Sequence, residues 1–237
     1  MLKIVNLSKT YNSSKKAVDN ISLEVKSGEI VGFIGHNGAG KTTTIKSIVG
    51  ILDFTEGEIY INGISIKKDP IKCKKQIAYI PDNPDLYESL TGIQYLNFIG
   101  DIFEVSKEER ESLIGKYGEA FEITKSFGDL ISSYSHGMKQ KLAIISALIH
   151  KPKLLILDEP FVGLDPKASH TLKEIMKNLC EEGGSIFFST HVLEVAEKIC
   201  HKIAIIKDGK LVAEGKIAKV IGDGSLEDIF MEMINNE

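Results

Sequence analysis

No apolar run in the 237-residue sequence approaches the roughly 18 residues that a membrane-spanning helix requires; stretches such as Leu142 to Ile149 and Leu154 to Leu157 are core-sized. The chain itself is therefore not expected to cross a membrane. Nor is there an excess of positive charge. Lys and Arg number 29 against 33 Asp and Glu, a net charge of -4, which removes the long-range attraction that backbone binding to nucleic acid leans on. Nucleic acid is accordingly not expected as a partner. Cysteine is scarce: Cys73, Cys180 and Cys200 are far apart and form no C-x-x-C pair, which excludes a disulfide framework and a zinc site and leaves three reduced, structural thiols. The start, Met1 to Asn6, lacks the charged, apolar and small-residue regions of a secretory signal and reads as a strand. The protein is expected to stay in the cytosol.

What is present suits one compact unit. Hydrophobic residues make up 43% of the sequence, enough for a sizeable core. Strand-like stretches at 2–7, 21–26 and 29–34 lead through a Gly-rich turn into a helix from Lys41 to Val49. Asn62-Gly63 predicts a hairpin between Glu58–Ile61 and Ile64–Ile66. After a strand at 76–80 the pattern becomes helical, with capping-box spacings at Thr91-x-x-Gln94 and Ser106-x-x-Glu109. Residues 85–130 thus read as a helical insert. A helix at 136–150, a strand at 153–157, a further helix, a strand at 185–189 and a hairpin across Asp208-Gly209 follow. Strands alternating with helices predict an α/β fold with a largely parallel sheet.

Two segments carry chemistry. Gly35-His36-Asn37-Gly38-Ala39-Gly40-Lys41-Thr42 fits G-x-x-x-x-G-K-[ST] and sits between an apolar strand and a helix, the context this motif needs. Its glycines let backbone amides wrap phosphate oxygens, and the helix N-terminus favours an anion. Lys41 is placed to neutralise the β and γ phosphates, and the Thr42 hydroxyl to meet Mg²⁺; Thr43 is counted with the loop. The second segment, Leu154 to Glu159, is an apolar strand ending in two carboxylates, at the sheet edge where parallel folds bind ligands. Asp158 is a candidate to reach Mg²⁺ through water, and Glu159 to orient or deprotonate the attacking water. The expected cofactors are ATP and Mg²⁺.

With these segments in this order, the whole chain resembles the nucleotide-binding domain of ABC transporters. The resemblance implies a P-loop NTPase core with a mainly parallel sheet, an antiparallel β subdomain and a helical insert: core at 1–81 and 150–224, helical signature subdomain at 82–149, short C-terminal helix at 225–237. It implies that Tyr11 stacks on adenine. Tyr134-Ser135-His136-Gly137-Met138 stands where the family's Leu-Ser-Gly-Gly-Gln is expected; Ser135 and Gly137 match, the other three do not. The implied role of Ser135 and Gly137 is to face the γ-phosphate of a second subunit in a head-to-tail dimer, of two copies or of a copy and a paralogue, around two ATP molecules. Asp165, in Gly163-Leu164-Asp165-Pro166, matches the loop along that interface, and His191 the histidine against the γ-phosphate. One departure is that Asp82 stands where the family has Gln, bringing a charge and a shorter reach, with Asn83 the alternative in a shifted register.

The stretches 81–88 and 134–140 look most like the ATPases of bacterial drug, bacteriocin and peptide exporters. The function this implies is an ATP-hydrolysing motor subunit at the cytoplasmic face of the membrane, driving a separate transmembrane permease. The competing reading is a soluble ABC-type ATPase that remodels a ribosomal, DNA or cluster-assembly complex.

Overall fold

The computed structural model describes residues 1–11, 15–222 and 224–235, so residues 236–237 of the expected C-terminal helix lie outside the described chain. The first strands are β1 (Leu2–Tyr11), β2 (Lys15–Val25) and β3 (Ile30–Ile34), followed by helix α1 (Lys41–Ile48), hairpin β4 (Glu56–Ile61) and β5 (Ile64–Ser65), helix α2 (Pro70–Lys74) and strand β6 (Ile77–Ile80). Next come α3 (Gly92–Ile102), α4 (Lys107–Ala120), two short 3₁₀ turns and α5 (His136–Leu148). The chain continues through β7 (Leu154–Asp158), α6 (Pro166–Glu181), β8 (Ser185–Thr190), α7 (Leu193–Ile199), β9 (Lys202–Lys207), β10 (Lys210–Lys216), α8 (Ile217–Ile221) and α9 (Leu226–Asn235).

Two sheets result, of order β2-β1-β4-β5 and β10-β9-β3-β8-β7-β6. The first is antiparallel throughout. In the second, β9, β3, β8, β7 and β6 run parallel and only β10 is antiparallel. The reason lies in the strand sequences. β3 (IVGFI) and β7 (LLILD) are buried along their whole length, as a strand covered on both faces must be. Alternate residues serve two cores: Val31, Phe33, Ile156, Phe187 and Ile206 pack towards α1 and the antiparallel sheet, whereas Ile34, Leu155, Leu157, Phe188 and Ile205 pack towards α5, α6 and α7. Helix α1 therefore lies between the sheets, with Ile45 and Ile48 fully buried.

Both dipeptide turns predicted from sequence form. Asn62-Gly63 and Asp208-Gly209 have positive φ at both residues, 49° and 79°, then 45° and 81°, the conformation of a type I′ hairpin turn. Strand β1 runs to Tyr11 rather than ending near residue 7, because register shifts between Ile4 and Leu7 and a left-handed Asn6 break its alternation. Thr91 forms the full capping box with Gln94. Ser106 forms half of one, accepting from the Glu109 amide at 3.3 Å, while the Glu109 carboxylate pairs with Lys151.

Helices α3 and α4 are joined by Arg110, the only arginine in the sequence. Its guanidinium donates to Asn97 Oδ1 at 3.3 Å, to Asp101 Oδ1 at 2.5 Å and to the Val105 carbonyl at 3.1 Å. Gly100 leaves the space it occupies, since a Cβ there would overlap the Arg110 side chain. At the other end of the chain, α9 packs on its own domain through Leu226, Phe230 and Met233.

Candidate active site

Strands β3, β6, β7 and β8 all point their carboxyl ends at one edge of the parallel sheet, and the chemistry-bearing residues follow directly from those ends. After β3 the loop of residues 35–40 turns into α1; Asp82 follows β6, Asp158 and Glu159 close β7, and His191 follows β8. A cavity of about 220 Å³ lies among them, with Lys41, Thr42, Thr43, Asp82, Asp158 and Glu159 in its walls. His36, Asn37, Gly38 and Gly40 complete the loop side.

The loop has the backbone the motif demands. Gly40 caps α1 at φ 111°, a conformation that only glycine adopts readily, and a Cβ there would come 2.5 Å from the Ala17 carbonyl oxygen. Ala39 is buried beneath the loop and Gly35 beside it, with the Ile206 carbonyl against Gly35. The Lys41 side chain spans the loop from inside: Nζ donates to the Gly35 carbonyl at 2.6 Å and the His36 carbonyl at 3.3 Å, and lies 3.6 Å from Glu159 Oε1.

Glu159 adopts φ 48°, the left-handed region that a non-glycine residue occupies at a cost and that clusters at functional sites. Its amide is held twice by Ser189, at 3.2 Å to the carbonyl and 3.1 Å to Oγ. Ser189 Oγ in turn donates to Asp158 Oδ1, so one buried hydroxyl fixes both carboxylate residues. Glu159 Oε2 accepts from the His191 amide at 3.3 Å and lies 2.9 Å from His191 Nδ1. Glu159 Oε1 is buried without a hydrogen-bond partner.

The remaining predicted residues lie away from this cavity's walls. Tyr11 ends β1, exposed, with the Lys9 ammonium 5.3 Å from its ring centroid. Ser135 caps α5, accepting from the Met138 amide at 3.3 Å. Gly137 abuts the loop ahead of α6, where an added Cβ would come 2.8 Å from the Gly163 carbonyl. Asp165 caps α6 by accepting from the Ala168 amide at 2.8 Å and pairs with Lys141 at 2.7 Å. The Lys141 ammonium, then the Ala168 amide, hold its carboxyl below the usual carboxylate range. Asp82 lines the cavity and Asn83 does not.

Sequence reasoning missed Ser189 and Ala17. Ser189 sits in the strand used to locate His191, but nothing local marks a serine whose partners come from β7. Ala17 enters the wall only because β2 folds back beside Gly40.

The donor set suits a magnesium nucleotide. The glycines let the turn pack against the Ala17 and Ile206 carbonyls, where a Cβ would clash, a buried ammonium stands within the turn, and the carboxylate oxygen 3.6 Å from it accepts no hydrogen bond. A family model described as ABC transporter matches residues 18–162. The chain is 35% identical, over 100% of its length and 98% of the relative's, to the ABC-type transporter ATP-binding protein EcsA of Bacillus subtilis. It is 37% identical, over 91% of its length and 69% of the relative's, to the linearmycin resistance ATP-binding protein LnrL of the same organism. A solved structure of an ATP-binding subunit of an ABC transporter superposes with a TM-score of 0.95 at 34% identity, covering 99% of this chain and 100% of the other. A dimeric ATP-binding cassette in a post-hydrolysis state, bound to ADP and Pi, superposes with a TM-score of 0.83 at 27% identity, covering 92% and 99%. With this site and these relatives, the chain belongs to the ABC transporter ATP-binding proteins, ATPases that bind ATP and Mg²⁺.

Proposed function

We propose that this cassette is the motor of an exporter, working as a dimer on the cytoplasmic face of the membrane and driving a separate transmembrane permease. The observation that carries its catalytic part is the convergence of Lys41, Asp158 and Glu159 on one cavity, with Glu159 Oε1 buried, 3.6 Å from the Lys41 ammonium and accepting no hydrogen bond. In this reading Lys41 leaves the Gly35 carbonyl for the β and γ phosphates, and the loop amides take the remaining phosphate oxygens. Thr42, Asp158 and Asp82 hold Mg²⁺, which when bound supplies neutralisation of phosphate charge. Glu159 orients the attacking water and accepts its proton, while the His191 contacts at Oε2 keep Oε1 turned to the cavity. Ser135 and Gly137 at the start of α5 and Asp165 in the facing loop contribute from the second subunit, and Tyr11 offers its exposed ring to adenine.

A groove supports the permease reading. Between α3, α5 and the end of α1 lies a cleft of about 310 Å³ whose walls include Ile51, Tyr95, Ile99 and Phe103. Ile51 of its wall is exposed, as are Phe98 and Ile102 on the helix that carries Tyr95 and Ile99, apolar surface of the kind a partner protein covers. Among the described residues no helix is long and apolar enough to cross a membrane, consistent with a permease supplied by another chain. The export direction is supported by the 81–88 and 134–140 sequences and by the resistance function printed for LnrL. The test is to pull down tagged Glu159→Gln from gently solubilised membranes with Mg-ATP. A stoichiometric multi-spanning protein is expected; a ribosomal or DNA-associated partner in its place would overturn the reading in favour of a remodelling ATPase.

A further inference from the structure

Tyr79 lines the groove described above. It belongs to β6, where it pairs in parallel register with Ile156 of β7. Strand side chains alternate between faces, so Asp158, two residues beyond Ile156, lies on the same face of the sheet as Tyr79. Asp82 lies three residues beyond Tyr79 along its own chain. The Tyr79 ring forms part of the groove wall beside Ile51 and Tyr95, and it packs against the core that surrounds α1. Its hydroxyl is buried and makes no hydrogen bond with any described residue. Burial first, then the nearby Asp158 and Asp82 charges, push the hydroxyl well above its usual range. It stays protonated and is available only to donate towards that charge.

A buried hydroxyl without a partner is a cost to the fold, and ring packing alone would be satisfied by phenylalanine. We infer that Tyr79 is a positioning residue for the hydrolysis site: its ring senses the groove, and its hydroxyl donates to the oxygen shell that Asp158 and Asp82 build at the magnesium end of the cavity. A partner pressing on the groove thereby moves a ligand of that shell without touching the nucleotide.

The inference rests on the placement of Mg²⁺ beside Asp158 proposed above. Its test compares Tyr79→Phe with native chain in thermal unfolding, alone, with ATP and EDTA, and with Mg-ATP, and titrates Mg²⁺ against binding of a fluorescent ATP analogue. Without nucleotide the variant should melt no lower than native, because it loses an unpartnered group. With Mg-ATP its gain in Tm should shrink, and half-saturating Mg²⁺ should rise about two- to tenfold, the ordinary worth of one hydrogen bond, while binding in EDTA is unchanged. Equal Mg²⁺ dependence in the two proteins overturns the inference. So does a variant that is destabilised or fails to fold without nucleotide, since the hydroxyl then serves the fold. Asp158→Asn separates the two readings. If it leaves the Mg²⁺ requirement unaltered, the metal placement itself is wrong; if it raises that requirement and Tyr79→Phe does not, only the role of Tyr79 is lost.

Discussion

At the scale of single residues, the site is a set of side chains that hold one another. Glu159→Gln keeps shape and removes the base, so turnover should fall by roughly a hundredfold or more, the scale of a lost general base, with ATP binding retained; near-normal turnover would remove Glu159 from the role. Ser189→Ala leaves the base in place but removes the hydroxyl that donates to the Asp158 carboxylate and that is one of the two acceptors of the Glu159 amide. The loss of a buried, charge-assisted bond costs about 1.5–3 kcal/mol, to be read in chemical denaturation, together with a lower kcat. Lys41, Asp158 and Glu159 were legible because their chemistry is written in contiguous motifs. Ser189 was not, since its partners lie 30 and 31 positions away and only the β7–β8 pairing brings them together. Tyr11 and Asp165 show the reverse, being named by their place in a pattern while the single chain gives one an exposed ring and the other a capping task.

At the scale of elements, the strands that read best were those buried on both faces, where continuous apolar runs leave little choice. Elements with mixed signals read worse. Helix α2 is short and lysine-rich; it announces itself only by Asp69, which accepts from the Lys72 amide at 3.0 Å, and by Pro70 at its first position. The α3–α4 clamp was invisible because a lone arginine carries no periodic signal. Arg110→Met removes bonds to two side chains and a carbonyl, and should cost about 1.5–3 kcal/mol, as hydrogen bonds from a charged group do. Hydrogen exchange should show the loss first in α3 and α4. Just beyond α5, His150 stacks on Phe103 with ring centroids 3.7 Å apart and contacts the Ile77 carbonyl at 3.2 Å. Burial holds its folded-state pKa below the ordinary 6.5, so the unfolded chain takes up the proton first. Its contribution to stability is complete above 6.5 and is lost as pH falls through the folded value. Between about pH 8 and pH 5 the Tm of native protein should therefore fall more steeply than that of His150→Leu; equal slopes would assign the acid sensitivity elsewhere.

For the whole molecule, the arrangement of two sheets about α1 means that the phosphate loop leads into a helix whose Ile45 and Ile48 are buried in the core between them. The dimer proposed above predicts that Glu159→Gln elutes as a monomer without nucleotide and as a dimer with Mg-ATP. Ser135→Arg, which crowds the start of α5, should keep nucleotide binding while losing both dimer and turnover. An elution unchanged by Mg-ATP would argue against assembly of two copies and for a paralogue. The fold class and the layout of the cavity were open to reading from the chain alone, but the pairing of surfaces is a property of geometry that no single motif spells. The α3–α4 clamp bears on that pairing too. With Arg110 committed there and no other arginine in the sequence, a second copy has no guanidinium to insert beside the transferring phosphoryl group, the device many phosphate-hydrolysing enzymes use. Any acceleration of this ATPase that arginine-blocking chemistry abolishes, once Arg110 is replaced, must then come from a foreign chain.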